Sequence, residues 1–530
     1  MKNYLNAITP QARTQRERLD PNQQKNHAGG FVYAVSDEMR LTRFLVLGTD
    51  GGTFYASERD HTVKATDFLR TFAQLDGARM VQVILDVVRA GRAPKMDPAL
   101  LALALVAKTG SLEARKAAWD ALPEVARTGT MLLHFLAFAQ GLGGWGRLTR
   151  RGVARVYEDA PIEKLALWAV KYKARDGWSQ ADALRLAHPK TTDAVRNAVF
   201  RFMVDGVLAD ATDPALRVIE GHVKALAVSA DADAAALMHE YGLPIEAIPT
   251  PARGPRVYRA AMRTNGLTWL MRNLGNLSRV GVLTPNDTAT LQEVVARLTD
   301  PAALRKGRIH PIDALKARLV YASGRGVRGK GEWLTVPRVV DALETAFYTS
   351  FGHVQRADKR FLLGIDVSGS MTWGTVAGVP GLSPNVAASA MSMVTARTEP
   401  FTLTMGFTDG FRNLGITPAD TLDAAMRKTQ AASFGATDCA QPMLWARQHK
   451  IEVDTFVVYT DNETWAGAVH PKVALDQYRQ ATGIPARLVV VGMTATQFTI
   501  ADPNDAGMLD VVGFDSAAPG IMSAFARGEL

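Results

Sequence analysis

The 530-residue chain has a single cysteine, Cys439. No intramolecular disulfide can form, and a cysteine-based zinc site is disfavoured. A chain that does without disulfides suits a reducing, cytoplasmic setting. It also lacks any run of about 18 uncharged apolar residues of the kind that spans a bilayer. The opening stretch, MKNYLNAITPQARTQRERLDPNQQKNHAGG, has no apolar core of a secretory signal. A soluble, non-secreted protein is therefore expected. What is present is an ordinary globular composition, 47% hydrophobic and 21% charged. The chain is too long for one core, so two or more domains are expected.

Charge divides the chain unevenly. Of 61 Lys and Arg and 52 Asp and Glu, residues 356–530 hold 13 and 17, leaving 48 and 35 before them. The first part is basic by 13 charges and the second acidic by 4. A broad basic surface suits a polyanion such as a nucleic acid, though it is equally compatible with a solvated face that has no partner.

The period of the pattern changes at the same place. From about Lys64 to Thr349, helical patterns follow one another with short Pro, Gly or Asp breaks. Two helices are expected on either side of Gly91–Pro98. Another is read in EKLALWAVKYKARDGWS, with Leu165, Trp168, Ala169 and Tyr172 as its apolar face, an end near Gly177 and Ser179 capping the next helix. Helix pairs repeated without a strict period suggest an α-solenoid of HEAT-like units. Ahead of it, RFLVLGTDGGTFYAS reads as two short strands around Gly51 and Gly52, a hairpin turn rather than a phosphate loop. After Arg360 the runs RFLLGID, FTLTMGF, DTFVVYTD and ARLVVVGM alternate with helical stretches. Buried strands alternating with helices predict a doubly wound, mostly parallel sheet, with its ligand site beyond the carboxyl ends of the strands.

Oxygen donors collect at those ends. In DVSGS, Asp366, Ser368 and Ser370 alternate and can point one way from an extended loop. FGATDCA places Thr437 and Asp438 before a helix, and VVYTDNET places Asp461 after another apolar strand. Hydroxyls with a few carboxylates form a hard site of low charge, which suits Mg²⁺, with Mn²⁺ or Ca²⁺ as alternatives, and not zinc. Helix capping explains any one of these residues, but poorly explains three such segments at three strand ends. The set Asp366, Ser368, Ser370, Thr437 and Asp461 resembles the metal-ion-dependent adhesion site of von Willebrand factor A domains over roughly 356–530. That resemblance implies a ligand-binding cation rather than a catalytic one, able to accept an acidic group from a partner. Nothing near it in sequence supplies a nucleophile or general base, and a lone buried thiol such as Cys439 is normally inert.

In the helical part, Lys164, Lys171 and Arg175 are spaced seven and four apart, which on one continuous helix makes a basic stripe, and His188 falls near the end of the next helix. Such a row tracks phosphates, and an exposed histidine stacks on a base. Further arginines cluster with aromatics around Arg253, Arg256, Arg259, Arg263, Arg272 and Arg279, and around Arg305, Lys306, Arg308, Arg325, Arg328 and Lys330.

The phrases NHAGGFVYAV, GGTFYASE, VKYKARDGWS, LRLAHPK, MRNLGNLSRVGVL, RIHPIDAL, GATDCAQPMLWA and TDNETWAGAVHP resemble the Ro autoantigen (TROVE-domain) family, in family order over about 25–530, and point to a bacterial orthologue. The resemblance implies an N-terminal extension over 1–30, a ring of HEAT-like α-helical repeats over 31–355, and an A domain over 356–530. It implies a monomeric, non-catalytic scaffold with small non-coding Y-type RNA on its outer surface. The single-stranded 3′ ends of misfolded or damaged RNA would enter a central hole, in the service of RNA quality control, turnover and stress survival. Lys171, Arg175 and His188 fall where that family contacts Y RNA, with Lys164, Arg263 and Arg272 as further candidates. A 3′-to-5′ exoribonuclease such as polynucleotide phosphorylase is an implied partner, and no membrane is involved. Two rival readings are an A-domain adaptor for a protein ligand or AAA-type ATPase, and a metal-dependent nuclease. The nuclease fits poorly, since two-metal hydrolysis wants clustered carboxylates.

Overall fold

Residues 13–48, 58–208, 213–326, 331–379, 381–432 and 435–530 are described in the computed structural model. The turn expected at Gly51 and Gly52, and Arg328 and Lys330, lie outside the described residues. The chain packs as two units. One joins the residues up to Phe68 with Arg92–Pro94 and Phe351–Leu530, and the other comprises Leu69–Gly91 and Lys95–Ser350. The segment up to Phe68, read from sequence as an extension and the start of the helical ring, thus packs with the A-domain part.

That segment begins with two short antiparallel strands, β1 (Gln23–Lys25) and β2 (Phe31–Ala34). The strand expected at RFLVL is instead the second half of a helix, Asp37–Leu47. Ser36 caps it by accepting from Met39 N, Asp37 and Glu38 face the positive end of its dipole, and Gly48 stops it at φ 67°. Its run of apolar residues is continuous because the last turns are buried on every side, Leu41, Phe44, Leu45, Val46 and Leu47 included.

The helical unit packs its helices on near neighbours in sequence, as a solenoid requires. Asp97–Thr109 packs on Leu112–Val125 and Gly129–Gly143, Asp231–Tyr241 on Pro255–Thr264, and Pro311–Ala322 on Pro337–Ser350. Helix Asp97–Thr109 is apolar all round, and Ala99 to Ala107 contains only buried or nearly buried side chains, which makes it a core helix. The expected break at Gly91–Pro98 holds: one helix ends at Arg89 and the next starts at Asp97. Helix Ile162–Lys171 ends earlier than expected, because Ala174–Arg175 (β3) pairs antiparallel with Trp178–Ser179 (β4). Asp176 and Gly177 between them have φ of 51° and 77°, the two positive values an Asp-Gly type I′ turn demands. Ser179 does cap the next helix, Gln180–Ala187, in a reciprocal capping box with Asp182.

The C-terminal part is the expected α/β sheet. Strands β5 (Arg360–Asp366), β6 (Phe401–Phe407), β7 (Phe411–Asn413), β8 (Thr455–Thr460), β9 (Arg487–Gly492), β10 (Phe498–Thr499) and β11 (Met508–Val512) follow in order. Six of them form one sheet in the order β11-β9-β8-β5-β6-β7, parallel except for β7 at the edge. β10 leaves that sheet and pairs with β2 instead. β5 and β8 are buried along nearly their whole length, which explains their unbroken apolar runs. The chain leaves β5 toward β6 on one side and leaves β8 toward β9 on the other. The strand order therefore reverses between β5 and β8, the place where open α/β sheets bind ligands. Among the described residues, no helix is long and apolar enough to cross a membrane.

Candidate cation pocket and candidate nucleic-acid interface

Asp366 closes β5 and Asp461 directly follows β8, so the sheet delivers both carboxylates to the switch point. Both are buried, with Asp366 at 0% exposure. Asp366 accepts from Thr460 Oγ1 at 2.7 Å and from Ser368 N at 3.0 Å. The hydroxyls of Ser368 and Ser370 are 3.2 Å apart, and the Ser370 hydroxyl also bonds Asp461. Asp461 accepts from Glu463 N at 3.1 Å. Thr437 is buried in the loop before helix Gln441–Gln448, and its carbonyl accepts from Trp465 N at 3.1 Å and Ala466 N at 3.0 Å. The loops bearing Thr437 and Asp461 are thereby zipped together.

Electrostatics favours a cation here. Burial pushes the Asp366 carboxyl up to about 6, and burial, then the charges of Asp366 and Glu463, push Asp461 well above the usual carboxylate range. The groups acting on both are hydroxyls, backbone N–H and other carboxylates. Two desolvated carboxylates whose only help is neutral form the environment a divalent ion relieves. Among the described residues, no group of three or more His, Cys, Asp and Glu side chains forms a metal cluster, so an ion in this pocket would depend on the serine and threonine hydroxyls. That donor set fits Mg²⁺ and does not fit zinc. Burial, then the field of Asp366, raise the Cys439 thiol well above its ordinary value, which leaves it unreactive. Thr460 is the member of this pocket that sequence reasoning missed. Its signal was adjacency, as it immediately precedes Asp461.

On the helical unit, the expected basic stripe is broken. Lys171 is the last residue of its helix and lies 3.7 Å from Glu246, while Arg175 belongs to β3. Lys164 lies over the Trp168 ring at 5.1 Å, and partial burial pushes its ammonium below the ordinary lysine value. His188, in the left-handed conformation at φ 51°, ends the helix that starts after the hairpin. Eight residues of helix put it about 12 Å from that start.

The hairpin gathers other groups in place of the stripe. Arg175 pairs directly across from Trp178, so the two side chains share one face of the ribbon. Arg175 is 58% exposed, with Asp176 3.7 Å away. Trp178 packs on Trp145 with ring centroids 5.5 Å apart, and both indoles are half-buried. A contact between His134 Nδ1 and the Asp176 carboxylate ties the turn to helix Gly129–Gly143. Gln180 secures its base, with Nε2 donating to Tyr172 O at 2.9 Å and N to Lys173 O at 3.0 Å.

The arginine cluster has mostly internal duties. Arg263 forks onto Glu293 at 3.3 Å, Arg259 holds Asp287 and Thr290, and Arg253 donates to Ile248 O. Arg272 is exposed on helix Leu267–Arg279, and its field draws down the half-buried Asp313 carboxyl that desolvation raises.

The TROVE domain family matches residues 24–216 and 264–359, and the Ro60 vWA domain family matches 360–526. The chain is 72% identical to the RNA-binding protein RO60 of Deinococcus radiodurans over 531 residues, covering all of both chains. It is 33% identical to the RNA-binding protein RO60 of Caenorhabditis elegans, covering 97% of this chain and 92% of the relative. The crystal structure of the Deinococcus radiodurans RO (RSR) protein superposes with a TM-score of 0.71, covering 93% of this chain and all of that one. A TROVE region followed by a Ro60-type A domain, with full-length likeness to both relatives, places this chain in the Ro60 family.

Proposed function

We propose that the chain is a non-catalytic RNA-binding protein, the scaffold of a small cytoplasmic ribonucleoprotein that works as a monomer. The observation that carries this is the full-length likeness to two proteins named for binding RNA. An exposed guanidinium on a hairpin pinned at tip and base, beside the half-buried indoles of Trp178 and Trp145, supports it. Guanidinium on phosphate and indole on an unpaired base combine charge with stacking. On this reading Lys171, Arg175 and His188 hold a Y-type non-coding RNA. Exposed Arg272 and the Arg305, Lys306 and Arg308 group meet the single-stranded 3′ ends of misfolded or damaged RNA in a central hole. A 3′-to-5′ exoribonuclease of the polynucleotide phosphorylase type takes those ends onward, which makes the complex part of RNA turnover under stress.

A divalent ion, best Mg²⁺, belongs at Asp366, Ser368, Ser370, Thr437 and Asp461, where it neutralises the carboxylates and leaves a position for a partner's carboxylate. Trp373, three residues beyond Ser370 and 54% exposed, supports that second use as an apolar contact on the rim. Crosslinking in cells followed by purification and sequencing tests the RNA reading. Recovery of small structured transcripts is expected, and recovery of none overturns it. Sustained cleavage of RNA by the pure protein in Mg²⁺, lost in Asp366→Ala, overturns the non-catalytic part.

A further inference from the structure

The first described residues form a strap across the loops that supply two of the pocket's donors. Gln15 is 0% exposed although its neighbours Arg13, Arg16 and Arg18 are exposed. A buried primary amide needs every polar atom satisfied, and Gln15 satisfies its own on the pocket loops. Its Nε2 donates to Asp438 Oδ1 at 2.7 Å and to Val469 O at 2.8 Å, while its Oε1 accepts from Thr464 Oγ1. Its backbone N donates to Gly467 O at 2.9 Å. Asp438 is the neighbour of Thr437, and Thr464 lies three residues beyond Asp461. The side chain therefore bridges the Thr437 loop and the Asp461 loop.

The rest of the strap grips the same turn. Asn26 Nδ2 donates to Thr464 O at 2.8 Å and to Asn462 O at 3.2 Å. Glu463 accepts from Ala28 N at 3.0 Å and pairs with His27 Nδ1 at 2.8 Å. A Cβ on Gly30 would come within 1.9 Å of Thr464 O, and one on Gly467 within 2.3 Å of both Asp438 and Gln15. At Gly30 the two backbones close in to a distance only glycine allows, and at Gly467 the Asp438 and Gln15 side chains fill the space a Cβ would need. Residues 13–23 lie outside both family matches.

We propose that Gln15 is a positioning residue for the cation pocket, and that docking of the strap Arg13–Gly30 and binding of a divalent ion are linked. The ion needs the Thr437 hydroxyl and the Asp461 carboxylate at fixed separation from each other, and the strap, bonded to both loops, sets that separation from outside. Linkage is reciprocal: whatever factor the docked strap adds to ion affinity, the ion adds to strap docking. The inference rests on the cation reading above.

Two measurements on the full chain test it. In the wild type, trypsin cleavage after Arg16 and Arg18 is timed with Mn²⁺ or with chelator, using Asp366→Ala as a control for effects of Mn²⁺ on the protease. Cleavage about tenfold slower in Mn²⁺ is expected for the wild type only. Separately, Mn²⁺ affinity is read by electron paramagnetic resonance in Gln15→Leu and in Tyr478→Phe. The latter loses the hydroxyl that accepts from Val453 N at 2.7 Å, just before β8 starts at the strand end away from the pocket. About tenfold weaker Mn²⁺ binding is expected in Gln15→Leu and unchanged Mn²⁺ binding in Tyr478→Phe, although both lower the melting temperature. Wild type that binds Mn²⁺ without protecting the strap, with Gln15→Leu binding it equally well, overturns the strap's role alone. Wild type that binds no Mn²⁺ overturns the cation reading and this inference together. Should Gln15→Leu fail to fold, the wild-type cleavage rates decide by themselves.

Discussion

Replacing Asp366 with asparagine removes a charge while keeping the shape, and the pocket geometry dictates an unusual result. The wild-type carboxyl is wholly buried and lifted from 3.8 to about 6 by burial. A shift of that size corresponds to about 3 kcal/mol against the ionised form. Because the folded pKa lies above the ordinary value, the protonated fold is the favoured one. Stability is fully present below about pH 4 and declines as pH rises through about 6. In chelator at pH 8, Asp366→Asn should therefore be more stable than wild type. The gain from this carboxyl is about 3 kcal/mol, added to by the relief of Asp461 from its charge and reduced by what is lost where the new amide faces Thr460 Oγ1, now 2.7 Å from the carboxylate. At pH 5 the gain should fall to roughly half, since much of the wild-type carboxyl is already protonated there.

Magnesium should then close or invert the difference. An ion at a hundred times its dissociation constant adds about 2.7 kcal/mol to whatever binds it, and only the wild type keeps the carboxylate. Hydrogen exchange of the β5 and β8 amides is the assay, because it reads the stability of the sheet rather than of the helical unit. Slower exchange in the variant under chelator, and slower exchange in the wild type under Mg²⁺, would confirm the reasoning. A variant less stable than wild type in chelator at pH 8 would refute it. The carboxylate would then be a structural acceptor for Thr460 and Ser368, with no electrostatic debt for an ion to settle.

The double variant Lys171→Ala, Arg175→Ala should weaken RNA binding at low salt and flatten the logarithmic salt dependence by roughly 0.7–0.9 per lost phosphate contact, read by filter binding across a salt series. Trp178→Ala should cost about 1–3 kcal/mol of affinity for RNA with unpaired bases while leaving the salt slope unchanged. An altered slope with unchanged affinity at low salt would show that the indole only supports Arg175. Gly30→Ala, whose new methyl would meet Thr464 O at 1.9 Å, should lower stability by about 1–3 kcal/mol in a thermal melt and weaken Mn²⁺ binding with it.

Sequence patterning revealed what was local and hid what was not. β5, β6, β8 and β9 were readable because β-branched and aromatic runs bounded by polar residues have few other uses, and each observed strand falls within a residue of its run. The donors at their ends were readable for the same reason, since a strand end fixes where the next residue points. β11 was missed because MLDVV places Asp510 in mid-strand. The aspartate is there to meet Arg43 at 2.7 Å, a partner 467 residues away that is itself buried in a helix first read as strand. That helix did carry its own evidence: Leu41, Phe44 and Leu45 at helical spacing behind Ser36, outweighed by the four consecutive apolar or aromatic positions Phe44–Leu47. The hairpin at Arg175 was also announced, by the Asp-Gly pair, but the seven-and-four spacing of the basic residues argued for continuing the helix. Spacing alone cannot say where a helix stops, and the stop decides whether Arg175 aligns with Lys164 or faces Trp178.

The strap marks the limit of such reading. QARTQRERLDPNQQKN is polar, without period, and compositionally a tail. The positions that matter, Gln15 and Asn26, differ in no local respect from Gln11, Gln23 or Asn22. Their significance lies in contacts separated by 423 and 438 residues of chain. Closing so long a loop is entropically unfavourable, so these contacts form only after the sheet and its loops exist to receive them. Two consequences follow together. The strap is among the last parts to dock and the first to open, and an ion that orders the Thr437 and Asp461 loops is what would hold it shut. If a chain truncated before Gly29 bound Mn²⁺ as tightly as the full chain, the loops would be ordered without it, and the polar tail would be only a tail.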